Sequence, residues 1–110
     1  MTLKPILEKL VTTFNEKVEM DANLRKDLEG ICKKVQIDLG SERYRLILEN
    51  QRISRFDEGT IDDPDITLIS NPDTIQDLIS GKMKPMKALA LKKLKLKGSL
   101  EDILRLRKLF

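Results

Sequence analysis

The apolar residues of this chain change their spacing near residue 33, from three or four residues to two, and change it back near residue 71. Few folds satisfy both periods. Leu3, Ile6, Leu7, Leu10, Val11, Phe14 and Val18 form one stripe on a helix, with Lys4, Glu8, Lys9, Asn15 and Glu16 on the other side. Pro5 falls in the first turn, where a missing N–H costs little. Asp21 is placed to cap a shorter second helix that buries Leu24 and Leu28 and stops at Gly30. Val35, Ile37 and Leu39 then alternate with polar residues, Gly40–Ser41 reads as a turn, and Tyr44, Leu46 and Leu48 alternate again. Ile53–Phe56 follows as a third strand. Short connections predict an antiparallel meander with one apolar face, and therefore helices on one side only.

The remainder mixes both periods. Asp65–Ser70 reads as a fourth strand, and Asn71–Pro72–Asp73 is a helix start with cap, proline and early acid. Ile75, Leu78 and Ile79 make the buried stripe of that helix, which Gly81 ends. Pro85 opens a short helix with Met86, Leu89 and Ala90. Leu94 and Leu96 alternate with lysines in a fifth strand that ends at Gly98, and Ser99 caps a last helix with Asp102 three positions on. Runs of strands with segregated helices predict an α+β fold, with a five-stranded, mostly antiparallel sheet covered on one face by helices. Its length, 110 residues, suits a single domain over 1–110.

Composition removes much chemistry. Histidine is absent and cysteine occurs once, so no Ser-His-Asp or Cys-His arrangement and no Cys/His zinc site can form within the chain. Cys32, in an apolar-alternating stretch, reads as a buried structural thiol. No catalytic residue, metal ligand or cofactor motif stands out, and the expectation is a chain without enzymatic activity. The longest uninterrupted apolar run is Leu89–Ala90–Leu91, and charges interrupt the first apolar stretch. The expected setting is therefore soluble and cytoplasmic. The acid-dense stretch from Asp57 to Asp65 lacks the spacing and late glutamate of an EF-hand loop and reads as solvated.

Charge is unevenly distributed. From Lys82 onward ten lysines and arginines face two acids, whereas the whole chain carries only +3. Such a region suits an anionic membrane surface, a phosphorylated ligand or a nucleic acid. A nucleic-acid-binding protein is thus the alternative function. Against it, the lysines of 93–97 alternate with leucines that must be buried, and aromatics able to stack on bases are scarce.

The stretches Asp65-Ile-Thr-Leu-Ile-Ser, Asp77-Leu-Ile-Ser-Gly-Lys-Met-Lys-Pro-Met-Lys-Ala-Leu, Leu94-Lys-Leu-Lys-Gly-Ser-Leu and Leu104-Arg-Leu-Arg-Lys-Leu-Phe resemble the sterol carrier protein-2 family of lipid-transfer domains. Gly81, Lys82, Pro85, Ala88, Leu94, Lys95, Leu96 and Gly98 match that family's order and spacing, while the N-terminal part agrees in element order. Leu89 replaces a usual aromatic, and Lys92 replaces the usual glycine before the fifth strand. The resemblance implies a hydrophobic tunnel between sheet and helices that carries a fatty acid, fatty acyl-CoA, phospholipid or sterol-like ligand without catalysis. The residues expected to line it are Leu46 and Leu48 on the second strand, Ile66 and Leu68 on the fourth, and Leu94 and Leu96 on the fifth. The helices would add Ile75, Leu78 and Ile79, then Met83, Met86 and Leu89, then Ile103, Leu106, Arg107 and Phe110. Methionine thioethers adapt to varied apolar shapes, which suits such a lining. On the last helix Leu100, Ile103, Leu104, Leu106 and Phe110 span roughly 160° at 100° per residue, with Arg107 inside the arc. Its guanidinium either snorkels to solvent or meets a lipid carboxylate or phosphate at the tunnel mouth.

Overall fold

A computed structural model describes residues 3–108, with side chains through residue 104. Helix α1 (Lys4–Met20) turns at Asp21 into α2 (Ala22–Asp27), and the Asp21 carboxylate accepts from the N–H groups of Asn23 and Leu24 at 3.0 and 3.2 Å. Those are two donors that a helix start leaves without partners. Three strands follow, β1 (Lys33–Asp38), β2 (Arg43–Glu49) and β3 (Arg52–Glu58), then β4 (Ile66–Ile69), α3 (Pro72–Ser80), α4 (Pro85–Ala90), β5 (Lys95–Gly98) and α5 (Leu100–Lys108). In α3, Asn71 accepts from the Thr74 N–H at 2.8 Å, and Gly81 closes the helix in the left-handed region at φ 83°. Ser99 Oγ caps α5 by accepting from the Asp102 N–H at 3.1 Å.

The strands lie in the order β3-β2-β1-β4-β5. The β1–β2, β2–β3 and β4–β5 pairings are antiparallel, while β1 and β4 run parallel, so the sheet is mixed. Two polar side chains place the parallel strand. Asp65 donates its N–H to the Lys34 carbonyl at 2.9 Å, and its carboxylate accepts from the Lys34 N–H at 2.8 Å. Gln36, buried two residues on along β1, donates to the carbonyls of Tyr44 and Gly59 and accepts from the Ile61 N–H. The acid-rich loop is therefore anchored at its base, where the sequence suggested only solvation. At Gly98, β5 approaches β4 so closely that a Cβ would stand 2.8 Å from the Asp65 carbonyl oxygen, a space only glycine fits.

The core gathers Leu3 and Leu7 of the α1 end, Leu39, Tyr44 and Ile75, with Ile6, Ile37, Phe56, Leu68 and Leu78 packed around them. Tyr44 is only 1% exposed and stacks on Phe56 with ring centroids 5.4 Å apart. Its hydroxyl donates to Glu42, and the same carboxylate oxygen accepts from the Leu3 N–H at 2.8 Å. One acid thus ties the start of α1 to the centre of the core. Farther along, Asn15 accepts from the Ile53 N–H at 2.8 Å and donates to the Ile53 carbonyl at 3.0 Å. It satisfies the open side of edge strand β3 as a neighbouring strand would.

Lys92 occupies the left-handed region at φ 61°. The backbone there has the conformation that suits glycine, and lysine holds it at a steric cost of roughly 1–2 kcal/mol. Glycine relieves that cost but has more freedom to lose on folding, so Lys92→Gly is expected to stabilise the fold by about 0.5–1 kcal/mol. A thermal melt raised by a few degrees would bear this out, and an unchanged or lowered midpoint would refute it.

Candidate functional site

The β register puts Val35 opposite Leu46 and Ile66, Ile37 opposite Tyr44 and Leu68, Leu46 opposite Phe56, and Leu68 opposite Leu96. Paired residues point to the same side, so these apolar residues share one face. Lys34, Gln36, Arg45, Asp57, Lys95 and Lys97 share the other. Helices cover the apolar face unevenly. Helix α1 packs on edge strand β3, and α5, which follows β5 directly, is tied to β1 through Asp102 and Lys33. On this face, Val35 and Ile66 are buried, but Leu46 and Leu48 of β2, Ile53 of β3 and Leu96 of β5 keep part of their surface accessible. Tyr44, Val35 and Ile66 are the sealed points of this face, while Ile37, Phe56 and Leu68 pack partly buried against the core and Leu46 and Leu48 are likewise partly accessible.

Of the residues expected to line a tunnel, the register puts Leu46, Leu48, Ile66, Leu68 and Leu96 on this face, and Ile75 and Leu78 pack in the core beside it. Ile66, Ile75 and Leu94 are buried, while Leu46, Leu48, Leu68, Leu78, Met83, Leu89, Leu96 and Ile103 are partly buried. Three expectations about burial are corrected. Ile79 is exposed because it lies in the final turn of α3 beside the Gly81 stop, where the cover over Ile75 no longer extends. Met86 is 57% exposed: Ala88 is the buried position of α4, and two residues turn a helix by roughly 200°. In α5, Leu100 is 73% exposed and Leu104 is exposed as well, so the apolar arc does not lie wholly against the sheet. The side chains of Leu106, Arg107 and Phe110, and with them the guanidinium at the tunnel mouth, lie outside the described residues.

Cys32 is exposed, which corrects the buried structural thiol. It precedes the first residue of β1, so the strand alternation that suggested burial has not yet begun. Leu10 of the α1 stripe is exposed as well.

The charge that the sequence left unremarked on this face is Lys33, which stands opposite Leu48 on the apolar side of β1. Its Nζ lies 3.0 Å from Asp102 Oδ1 of α5, with the two side chains 27% and 9% exposed. A carboxylate so far removed from water is held there by its ionic partner. The only hint in the sequence is an acid three residues after the capping Ser99. On the outer face, Arg45 pairs with Asp57 through two hydrogen bonds of 2.7 and 3.1 Å, and Arg55 joins at 3.1 Å. The Arg45 hydrogen bond, reinforced by Arg55, holds the Asp57 carboxyl below the usual carboxylate range.

Lys82, Lys84, Lys87, Lys92, Lys93, Lys95 and Lys97 are all exposed, with Met86 and Leu91 exposed among them. Among the described residues no aromatic is exposed, so this basic surface offers no platform for stacking bases. No described helix is long and apolar enough to cross a membrane, and no group of three or more potential metal ligands occurs among the described residues.

A mixed five-stranded sheet with a single helix-covered apolar face defines a small α+β fold. A model of the SCP-2 sterol transfer family matches residues 8–110, and the chain belongs to that family. The solution structure of palmitated SCP2L2 from Aedes aegypti has a similar fold, with a TM-score of 0.69 at 19% identity, over 98% of this chain and 93% of that one. Sterol carrier protein domain 2 of Helicoverpa armigera gives a TM-score of 0.64 at 24% identity, over 92% of this chain and 82% of its own. The same fold occurs inside a larger protein, the sec-alkylsulfatase Pisa1 from Pseudomonas sp., with a TM-score of 0.60 at 16% identity over 77% of this chain. The chain spans only 13% of the length of that sulfatase. No curated protein matches the chain significantly.

Proposed function

We propose that this chain is a non-catalytic carrier that holds an acyl lipid against the apolar face of its sheet. The observation that carries the reading is the partly accessible apolar stretch at Leu46 and Leu48 on β2, beside the strand β3 on which α1 packs. An apolar surface left accessible within a sheet-and-helix sandwich is where an apolar ligand gains most from leaving water, about 25 cal/mol per Å² buried. Family membership and the palmitate named with the Aedes aegypti relative support the same class of ligand. Titration with a fluorescent fatty acid should saturate at one ligand per chain and be competed by unlabelled lipid. Failure of saturable binding across fatty acids, acyl-CoA and phospholipids would overturn the reading, and native mass spectrometry should detect co-purified lipid.

The carrier loads and unloads, in this reading, at an anionic membrane surface. The exposed lysines around α4 supply the attraction, and Met86 and Leu91 supply apolar contact. Binding to vesicles containing phosphatidylserine should exceed binding to phosphatidylcholine vesicles and should weaken with salt, because screening acts over about 8 Å at physiological ionic strength. Each lysine near such a surface contributes about 1 kcal/mol, so Lys84→Glu with Lys87→Glu is expected to lower vesicle affinity at least tenfold. Equal partitioning to both vesicle types would leave the lysines a solubilising face and remove the membrane from this proposal.

A further inference from the structure

Where the end of α1 meets α2 and the β2–β3 turn there is a small cavity of about 160 Å³, and none of the residues expected to line a tunnel lines it. Its charged lining is Arg25 of α2, Arg52 at the start of β3 and Glu19 of α1. Among the described residues none of these three side chains takes part in an ion pair. Arg25 is nevertheless held in place. Its Nη1 donates to the carbonyls of Val18, at 2.9 Å, and Glu19, acceptors that the end of α1 leaves open. Its Nε and Nη2 donate to no described residue. That edge of a guanidinium is the fork that pairs with an oxyanion through two parallel hydrogen bonds. The turn forming the opposite wall is strained, with Asn50 and Gln51 at φ 54° and 60°, where a two-residue hairpin turn favours Asn-Gly. Gln51 stands in place of that glycine, and its side chain donates to the Arg25 carbonyl at 2.8 Å. The tie that fixes one wall of the cavity to the other thus comes at a steric cost.

We propose that this cavity binds a small phosphate ester that also carries an amine, with the phosphate on Arg25 and Arg52 and the ammonium on Glu19. Charge and size point to that class. A phosphate monoester carries about 1.5 to 2 negative charges at neutral pH, which two guanidinium groups match. An ammonium on the same molecule matches the Glu19 carboxylate. A phosphate alone would leave that carboxylate uncompensated beside it, and an amine alone would face two guanidinium groups. A cavity near this volume takes a group the size of benzene, enough for the phosphate, with the amine at the rim where Glu19 is exposed. The site stands apart from the carrier reading and does not rest on it. A free ester and the headgroup of phosphatidylethanolamine share this pair of charged groups.

Isothermal titration with O-phosphoethanolamine tests the site, with ethyl phosphate and ethanolamine as controls. O-phosphoethanolamine should bind once per chain and ethyl phosphate about two- to fivefold more weakly, the worth of an exposed ion pair. Ethanolamine should not bind measurably. Arg52→Gln should lower the affinity about tenfold, the loss of one charged hydrogen bond, without moving the thermal midpoint, because Arg52 is exposed. Glu19→Gln should bind O-phosphoethanolamine and ethyl phosphate equally. No saturable binding of O-phosphoethanolamine, or binding that Arg52→Gln leaves unchanged, overturns the proposal. A preference over ethyl phosphate that survives in Glu19→Gln overturns the placing of the amine. Flotation with vesicles containing phosphatidylethanolamine identifies the source of the ligand. Association that Arg52→Gln weakens supports a headgroup, and association that it leaves unchanged, beside binding of the free ester, supports a soluble ligand.

Discussion

Tyr44→Ala is expected to cost about 3–5 kcal/mol of folding stability, the range for large aromatic truncations in a closed core. The side chain is 1% exposed, stacks on Phe56 and faces Ile37 across the β1–β2 pair, so removing it leaves a cavity with rigid sheet on one side. A domain of this size has about 5–15 kcal/mol in total, so the variant should approach the edge of folding. The hydroxyl contributes separately. It shares Glu42 with the Leu3 N–H, and Tyr44→Phe removes one of two donors from a carboxylate that anchors α1. A loss of about 1.5–3 kcal/mol is expected for that charged hydrogen bond. Urea unfolding of the two variants measures both effects. A loss below about 1.5 kcal/mol in Tyr44→Ala would show that the core is not centred on this ring.

Removing residues 100–110 should leave a folded sheet that releases lipid at least tenfold faster. The buried cluster around Tyr44 includes no described residue of α5, and of its described apolar side chains Leu100 and Leu104 are exposed and Ile103 is partly buried. The truncation does strip Asp102 from Lys33, but the same cut opens the ammonium to water, which compensates it. Terminal elements also open at lower free energy than internal ones. Tenfold corresponds to about 1.4 kcal/mol of barrier, a modest demand on a helix that covers one margin of the site. Circular dichroism, melting and stopped-flow release of a preloaded fluorescent fatty acid separate the outcomes. Collapse of the fold would make α5 part of the core, and unchanged release from a folded truncation would remove its role as a cover.

Local features of the chain were legible because each depends on neighbours in sequence. Asn71, Pro72 and Gly81 bound α3 as expected, since a cap acts within one turn. The alternation of Leu94 and Leu96 with lysines gives β5 one inward side, with Leu94 buried and the lysines exposed. Lys92 was visible as a departure from the family pattern, and its positive φ shows why glycine suits that position. Interactions between distant segments were not legible. Glu42 meets Leu3 across 39 positions, and nothing local marks it as different from the exposed acids. Asn15 reads as one more polar residue on the outer side of α1 until β3 lies beside it.

From the sequence alone came the elements, the apolar side of the strands, the α+β class and the resemblance to a lipid-transfer family, because backbone period, caps and turn residues act over a few positions. Tertiary structure decided which part of the apolar face is closed and which charge lies on it. Periodicity assigns a residue to a side, but burial depends on which remote segment covers that side. The α1 end and α3 bury Tyr44 and Ile75 at the centre of the core, while Leu46 and Leu48 of β2 stay partly accessible. Lys33, one lysine among many in the sequence, acquires its meaning only when the β1 register sets it opposite Leu48 and α5 brings Asp102 to it.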